Sequence, residues 1–347
     1  MHYRRLVLTF VTALALFVAG NYAIWKSVTE DLITDHHFDG GDLSRMGYVP
    51  GSKMYRHNAT DLPRRHIHLK DYDGRPVDMI TIGDSFSNGG GGGYNRFYQD
   101  YIASINNLEI LNLNNPIEGV DFISTIATLL NNGFIEHSHA RYILISFTET
   151  SWKNFARHID FDQTIPMSEL EKRPRVDHYG RLPHVPFINN GNLKFLIFNT
   201  LYPVSDHALF GQVYKARLTR PFFSGQAANQ LLYLPYRSLP SAGEVRQIND
   251  NLNELANRLA SRGIRLVFLP FVNKYTLYAP WLETKRFPES AFFELLRPLP
   301  KRYTFIDTKA LLREELARGE KDVYYADDTH SSWKAAWKIF SSVRFPK

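Results

Sequence analysis

Val77-Asp78-Met79-Ile80-Thr81-Ile82 runs directly into Gly83-Asp84-Ser85-Phe86-Ser87-Asn88. A short, mostly apolar run that stops at a glycine turn reads as a buried strand of a parallel sheet. Parallel sheets bind ligands beyond the carboxyl ends of their strands, so the Ser85 hydroxyl stands where an α/β fold places its chemistry. Four more runs repeat the pattern: Leu108–Leu113, Tyr142–Phe147, Ile264–Phe271 and Tyr303–Ile306. Helical segments separate them. The clearest is Ser241 to Arg262, where Val245, Ile248, Leu252, Leu255, Ala256 and Leu259 share one face. Ser241 with Glu244 makes a capping box and Gly263 a left-handed stop, so a strand follows this helix at once. The fold class is α/β.

A serine hydroxyl is a weak nucleophile at neutral pH and needs a base within hydrogen-bond reach. Asp327-Asp328-Thr329-His330 supplies an imidazole and two carboxylates, either of which suits the third place of a Ser-His-Asp relay. The same residues also suit a helix start, since Trp333, Ala336, Trp337 and Phe340 follow at helical spacing and an acidic cluster favours a helix N-terminus. Gly89 to Gly93 follows the serine turn without the Gly-Lys-Ser/Thr ending or the Gly-x-Gly-x-x-Gly spacing of a nucleotide loop. These glycines let the backbone approach a substrate or move. The next residues, Tyr94, Phe97, Tyr98 and Tyr101, start a packed helix.

The chain of 347 residues is 44% hydrophobic, ample for a packed core, and contains no cysteine. Disulfides, thiol nucleophiles and zinc–thiolate centres are thereby excluded. The net charge of +6 is spread along the chain without the basic stripe of a nucleic-acid binder. No cofactor or metal is expected. His36, His37, His57, His66 and His68 lack a carboxylate at helical spacing and read as solvated loop residues, and His158, His178, His184 and His207 as structural or solvent-facing.

Arg4 and Arg5 precede an uncharged apolar run from Leu6 to Trp25 that is long enough to cross a bilayer, and Lys26 ends it. The basic flank favours a cytoplasmic N-terminus, which puts the rest of the chain on the outer side of the inner membrane. Val18-Ala19-Gly20 offers a cleavage site, yet the run continues past it, so an uncleaved single-pass anchor is expected. The chain then divides into the anchor at 1–26, a polar stalk and approach segment at 27–76, and the main domain at 77–347. The stretch from about 151 to 240 is too long for a simple connection. With its many prolines and pieces such as Phe195-Leu196-Ile197-Phe198, it reads as an inserted, partly helical cap shaping a substrate groove.

Gly-Asp-Ser after the first strand, Gly119 after the second, Thr148-Glu149-Thr150 after the third and an Asp/His pair before the last helix resemble the block order of SGNH (GDSL-type) hydrolases over about residues 77–343. The resemblance implies a flavodoxin-like three-layer α/β/α sandwich with a mostly parallel five-stranded sheet. It implies Ser85 as nucleophile, and Ser85 with Gly119 as oxyanion donors. Glu149 replaces the usual asparagine; an ionised carboxylate cannot donate, so Glu149 orients another donor, stays protonated, or serves as a strand-end cap or salt-bridge partner. A narrower resemblance is to the SGNH-like proteins of exopolysaccharide O-acetylation of the alginate type. It rests on Pro270 with Lys274 and Tyr278, which resemble a Pro-x-x-Lys-x-x-x-Tyr segment with one extra residue between proline and lysine, and on Asp328-Thr329-His330, and it implies that Lys274 and Tyr278 join Gly119 and Glu149 as oxyanion or substrate residues. That alignment makes Asp328 the triad acid, whereas general SGNH spacing prefers Asp327.

The resemblance thus implies a membrane-anchored serine O-acetyltransferase or acetylesterase. Its substrate is a cell-surface polysaccharide, its acetyl donor is supplied by a membrane acyltransferase, and its catalytic domain is periplasmic or extracellular. The alternative is a catalytically silent glycan-binding or assembly component of a polysaccharide secretion system.

Overall fold

The computed structural model describes residues 2–33, 41–52, 54, 56, 58, 60–114, 116–117, 120–164 and 185–346. Its centre is a six-stranded sheet of β1 (Ile67–His68), β2 (Met79–Gly83), β3 (Ile110–Asn112), β4 (Tyr142–Thr148), β7 (Arg265–Phe271) and β8 (Thr304–Phe305). The strand order is β1-β3-β2-β4-β7-β8, and every neighbouring pair is parallel. Five of these strands coincide with the apolar runs of the sequence, β2 and β4 each running one residue beyond. The sixth, β1, is an edge strand of two residues in a polar segment, too short to show a period.

β2 is buried along its whole length and β4 for all but its last residue, as expected for central strands covered by helices on their faces. Successive β4 residues meet different helices. The Ser146 hydroxyl accepts from Tyr98 of helix Tyr98–Asn106 at 3.0 Å, while Phe147 lies edge-on to Phe292 of helix Phe292–Leu296. Helix Ala242–Ala260 buries Val245, Ile248, Leu252, Leu255, Ala256 and Leu259, starts with the Ser241–Glu244 capping box, and is followed by Gly263 at φ +74°. Helix Trp333–Ser341 is capped by Ser332, whose hydroxyl accepts from the Lys334 N–H. Asp327 and Asp328 are therefore free of the capping duty the sequence allowed them. This helix buries Ala335, Ile339 and Phe340, and it leaves Trp337 exposed.

Within the insertion, the described residues form helix Asn190–Leu201 and an antiparallel hairpin of β5 (Tyr214–Arg217) and β6 (Gln230–Tyr233). At the N-terminus, His2–Leu32 is helical with a mean hydropathy of 1.9 in its most apolar window, long and apolar enough to span a membrane. Between anchor and sheet, His66 departs from the solvated role expected of it. Its ring is buried with Nδ1 2.6 Å from the Asp100 carboxylate. His36, His37, His57, His178 and His184 lie outside the described residues.

Candidate active site

The site lies at the carboxyl ends of β2, β4 and β7. At Gly83, which pairs with Ser146 of β4, a side chain would collide with the neighbouring strand, so only glycine lets β2 run this close before it turns. The Asp84 carboxylate then accepts from the backbone N–H groups of Phe86 at 3.1 Å and Thr148 at 2.7 Å, tying the turn to the end of β4. Asn88 and Gly90 donate their N–H groups to the Ser85 carbonyl. The chain thus folds back on itself and leaves the Ser85 side chain exposed.

Ser85 Oγ is 2.7 Å from His330 Nε2, and His330 Nδ1 is 2.6 Å from Asp328 Oδ1. The residues come from turns 245 positions apart in sequence. Asp328 also accepts from the His330 backbone N–H at 2.9 Å, which fixes both ends of the pair. Phe86 closes one side of the imidazole with ring centroids 4.7 Å apart. Burial opposes charge on His330. The Asp328 carboxylate outweighs this by charge and hydrogen bond, assisted by Asp42 and Asp84, so the imidazole pKa rises above its usual value. Burial likewise works against the Asp328 charge, but His330 and Arg56 hold its pKa well below the carboxylate range.

Asp327 points elsewhere. Its carboxylate pairs with Arg56 at 2.8 Å, both side chains being buried, and accepts the backbone N–H groups of Gly41 at 3.0 Å and Met54 at 2.9 Å. Arg56 reaches Asp328 as well, at 3.3 Å, and stacks over the Tyr325 ring. The Asp42 N–H donates to Asp328, while the Asp42 carboxylate accepts from the Thr329 backbone and hydroxyl. Part of the segment expected to be a stalk is thereby a clamp on the acid loop. Arg56 and Asp42 escaped the sequence reading because their partners lie more than 270 positions away and no local pattern marks them.

Lys274 and Tyr278 are also buried, and their contacts are with the protein itself. The Lys274 ammonium donates to the carbonyls of Tyr325, Ala326 and Asp328 at 2.6–2.9 Å, and the Tyr278 hydroxyl accepts from the Tyr324 N–H. Both support the loop that carries the acid instead of reaching toward substrate. Burial pushes the Lys274 amine down to about 7, against the pull of Asp327 and Asp328. Glu149 is buried and accepts from the Asn273 N–H at 2.7 Å and the Tyr236 hydroxyl at 3.0 Å. Burial raises its pKa. It therefore orients two residues of the cleft wall. Gly119 lies outside the described residues.

A cleft of about 620 Å³ opens beside Ser85. Thr148, Asn273 and Thr329 line it from the sheet side; Tyr214, Tyr236 and Arg237 line it from the insertion. On the other side of the imidazole, Gly90 leaves no room for a side chain, since a Cβ there would overlap the His330 ring. Asp42, Asp328 and His330 offer ligand atoms within 4.8 Å of one another, but Arg56 already supplies positive charge at that point. The arrangement can remove a proton from the Ser85 hydroxyl and return it to a leaving group. Neither a family model nor a curated protein matches the chain.

Proposed function

We propose that the chain is a membrane-anchored, extracytoplasmic SGNH-like serine acyltransferase or esterase acting on O-acetyl groups of a cell-surface polysaccharide. The observation that carries this reading is the hydrogen-bonded series Ser85–His330–Asp328, at 2.7 and 2.6 Å, opening on a cleft large enough for sugar residues. The parallel sheet, with Ser85 following its β2 strand, agrees with the three-layer SGNH architecture.

In this mechanism Ser85 Oγ attacks the ester carbonyl while His330 Nε2 takes the hydroxyl proton. The imidazolium, stabilised by Asp328, gives that proton to the departing alkoxide and leaves an acyl-Ser85 ester. A sugar hydroxyl or water then attacks the acyl carbon and passes its proton to His330, which returns it to the departing Ser85 Oγ and frees the serine. The Ser85 N–H is one donor to the developing oxyanion. The acetyl group comes from a donor delivered by a membrane acyltransferase.

The test is mass spectrometry of the intact protein after incubation with a small acetyl ester, alongside product release. An acetyl adduct on Ser85, absent in Ser85→Ala, supports the reading. Equal inertness of both proteins toward esters and acetylated glycans overturns it. That result would favour the silent glycan-binding component, which draws support from the engaged carboxylate of Glu149 where an amide donor is expected.

A further inference from the structure

Outside the cleft, exposed apolar surface gathers on one element of the insertion. Helix Asn190–Leu201 turns Gly191 and Phe198 inward, yet Leu193 and Leu196 remain 61% and 48% exposed. At 100° per residue, Leu193, Leu196, Ile197 and Thr200 form one stripe on the side opposite Phe198. The apolar surface continues past both helix ends, with Ile188 52% and Val204 76% exposed. A helix that is apolar on both sides belongs in a protein core or against lipid, and a patch of this kind on a protein surface marks an interaction site.

The anchor helix identifies what the patch meets. Asn192, itself buried, donates to the carbonyl and side-chain oxygens of Asn21 at 3.2 Å. The Trp25 indole donates to the Val185 carbonyl at 2.7 Å, and the Tyr22 ring stands edge-on to Phe187. The run from Leu6 to Trp25 spans about 30 Å as a helix, the thickness of a bilayer core. Asn21 to Trp25 therefore lie at its outer boundary, with tyrosine and tryptophan at headgroup level. The start of helix Asn190–Leu201 is fastened at that level. Lys194, on the flank of the stripe, has an alkyl stem long enough to carry its charge out to the headgroups.

We propose that the Leu193/Leu196 stripe of this helix beds into the outer-leaflet interface of the bilayer that the anchor spans, as a second, side-on membrane contact. The inference rests on the anchor reading and is independent of the acyl-transfer reading. The same insertion lines the cleft through Tyr214 and Tyr236, so seating it on lipid fixes the orientation of the cleft relative to the membrane.

The absence of native cysteine makes the test direct. Single variants Leu193→Cys, Leu196→Cys, Leu14→Cys in the anchor and Arg246→Cys on an exposed face of helix Ala242–Ala260 are labelled with an environment-sensitive dye. Each full-length protein is placed in lipid nanodiscs, one chain per disc, containing brominated phosphatidylcholine or surrounded by aqueous iodide. Loss of most emission to bromolipid at 193, 196 and 14, with 246 quenched by iodide alone, is the expected result. Lipid quenching at 14 with iodide quenching at 193 and 196 overturns the proposal and leaves the anchor standing. Labels at 193 and 196 shielded from both quenchers also overturn it, because protein then covers the stripe. A label at 14 that lipid does not quench removes the anchor reading, and the proposal falls with it.

Discussion

Removing the charge from Asp328 and from Asp327 is expected to have separate consequences, because the two neighbours face different partners. Asp328 holds the His330 imidazole, so Asp328→Asn should cost on the order of 10⁴ in kcat by losing the tautomer and the stabilised cation. His330 is raised above its usual pKa by Asp328, and the acid limb of the rate profile reports its deprotonation. With the carboxylate gone, burial dominates and that limb should move to lower pH; a limb that stays in place would remove Asp328 from its assigned role. Asp327→Asn weakens a buried ion pair with Arg56. Breaking such a pair costs about 3–5 kcal/mol, and the second contact of Arg56 to Asp328 reduces that loss, so a drop of about 2–3 kcal/mol in denaturant unfolding is expected. Activity per folded molecule should fall far less than in Asp328→Asn. Sequence pattern left this choice open, since at a tight turn adjacent side chains point in directions that only the surrounding contacts decide.

Among elements, the buried strands were the most legible. Apolar runs bounded by turn residues depend on near neighbours, and β2, β4 and β7 lie within one or two residues of their expected spans. The same held for helix Ala242–Ala260, whose cap is written in adjacent residues. The loop from Gly89 to Gly93 was readable only as permissive backbone. Its particular requirement, that Gly90 pass against the His330 ring, is a long-range contact. Gly90→Ala should displace the imidazole or the loop and lower kcat/KM at least about 10²-fold, the scale of a misplaced catalytic group. The thermal transition should stay close to that of the parent; full activity in this variant would show that the ring is held less tightly than its contacts imply.

At the scale of the whole molecule, stability depends on how the protons near the acid loop are shared. Burial, with repulsion from Asp328, pushes the Asp42 carboxyl up to about 6, so the folded chain binds that proton more tightly than the unfolded one. Its contribution is present below the ordinary carboxyl value and lost as pH rises toward about 6. The raised His330 adds stability in the same sense, lost as pH climbs through its folded value, whereas the depressed Asp328 adds stability above its unfolded value and loses it in acid. Denaturant midpoints should therefore decline between about pH 4 and 6, and Asp42→Asn should flatten that decline. An unchanged slope in the variant would assign the pH dependence to other groups.

The clamp also has a consequence for biosynthesis. Gly41 meets Asp327 across 286 positions of chain, and the Ser85 hydroxyl meets its imidazole across 245. A nascent polypeptide paused between Ser85 and Asp327 carries the serine but neither the imidazole nor the carboxylates of the acid loop. The Ser85–His330 contact therefore forms only after the ribosome has passed codon 330 and that part of the chain has reached the compartment where the domain folds. A product terminated before His330 would lack the Ser85–His330 hydrogen bond altogether.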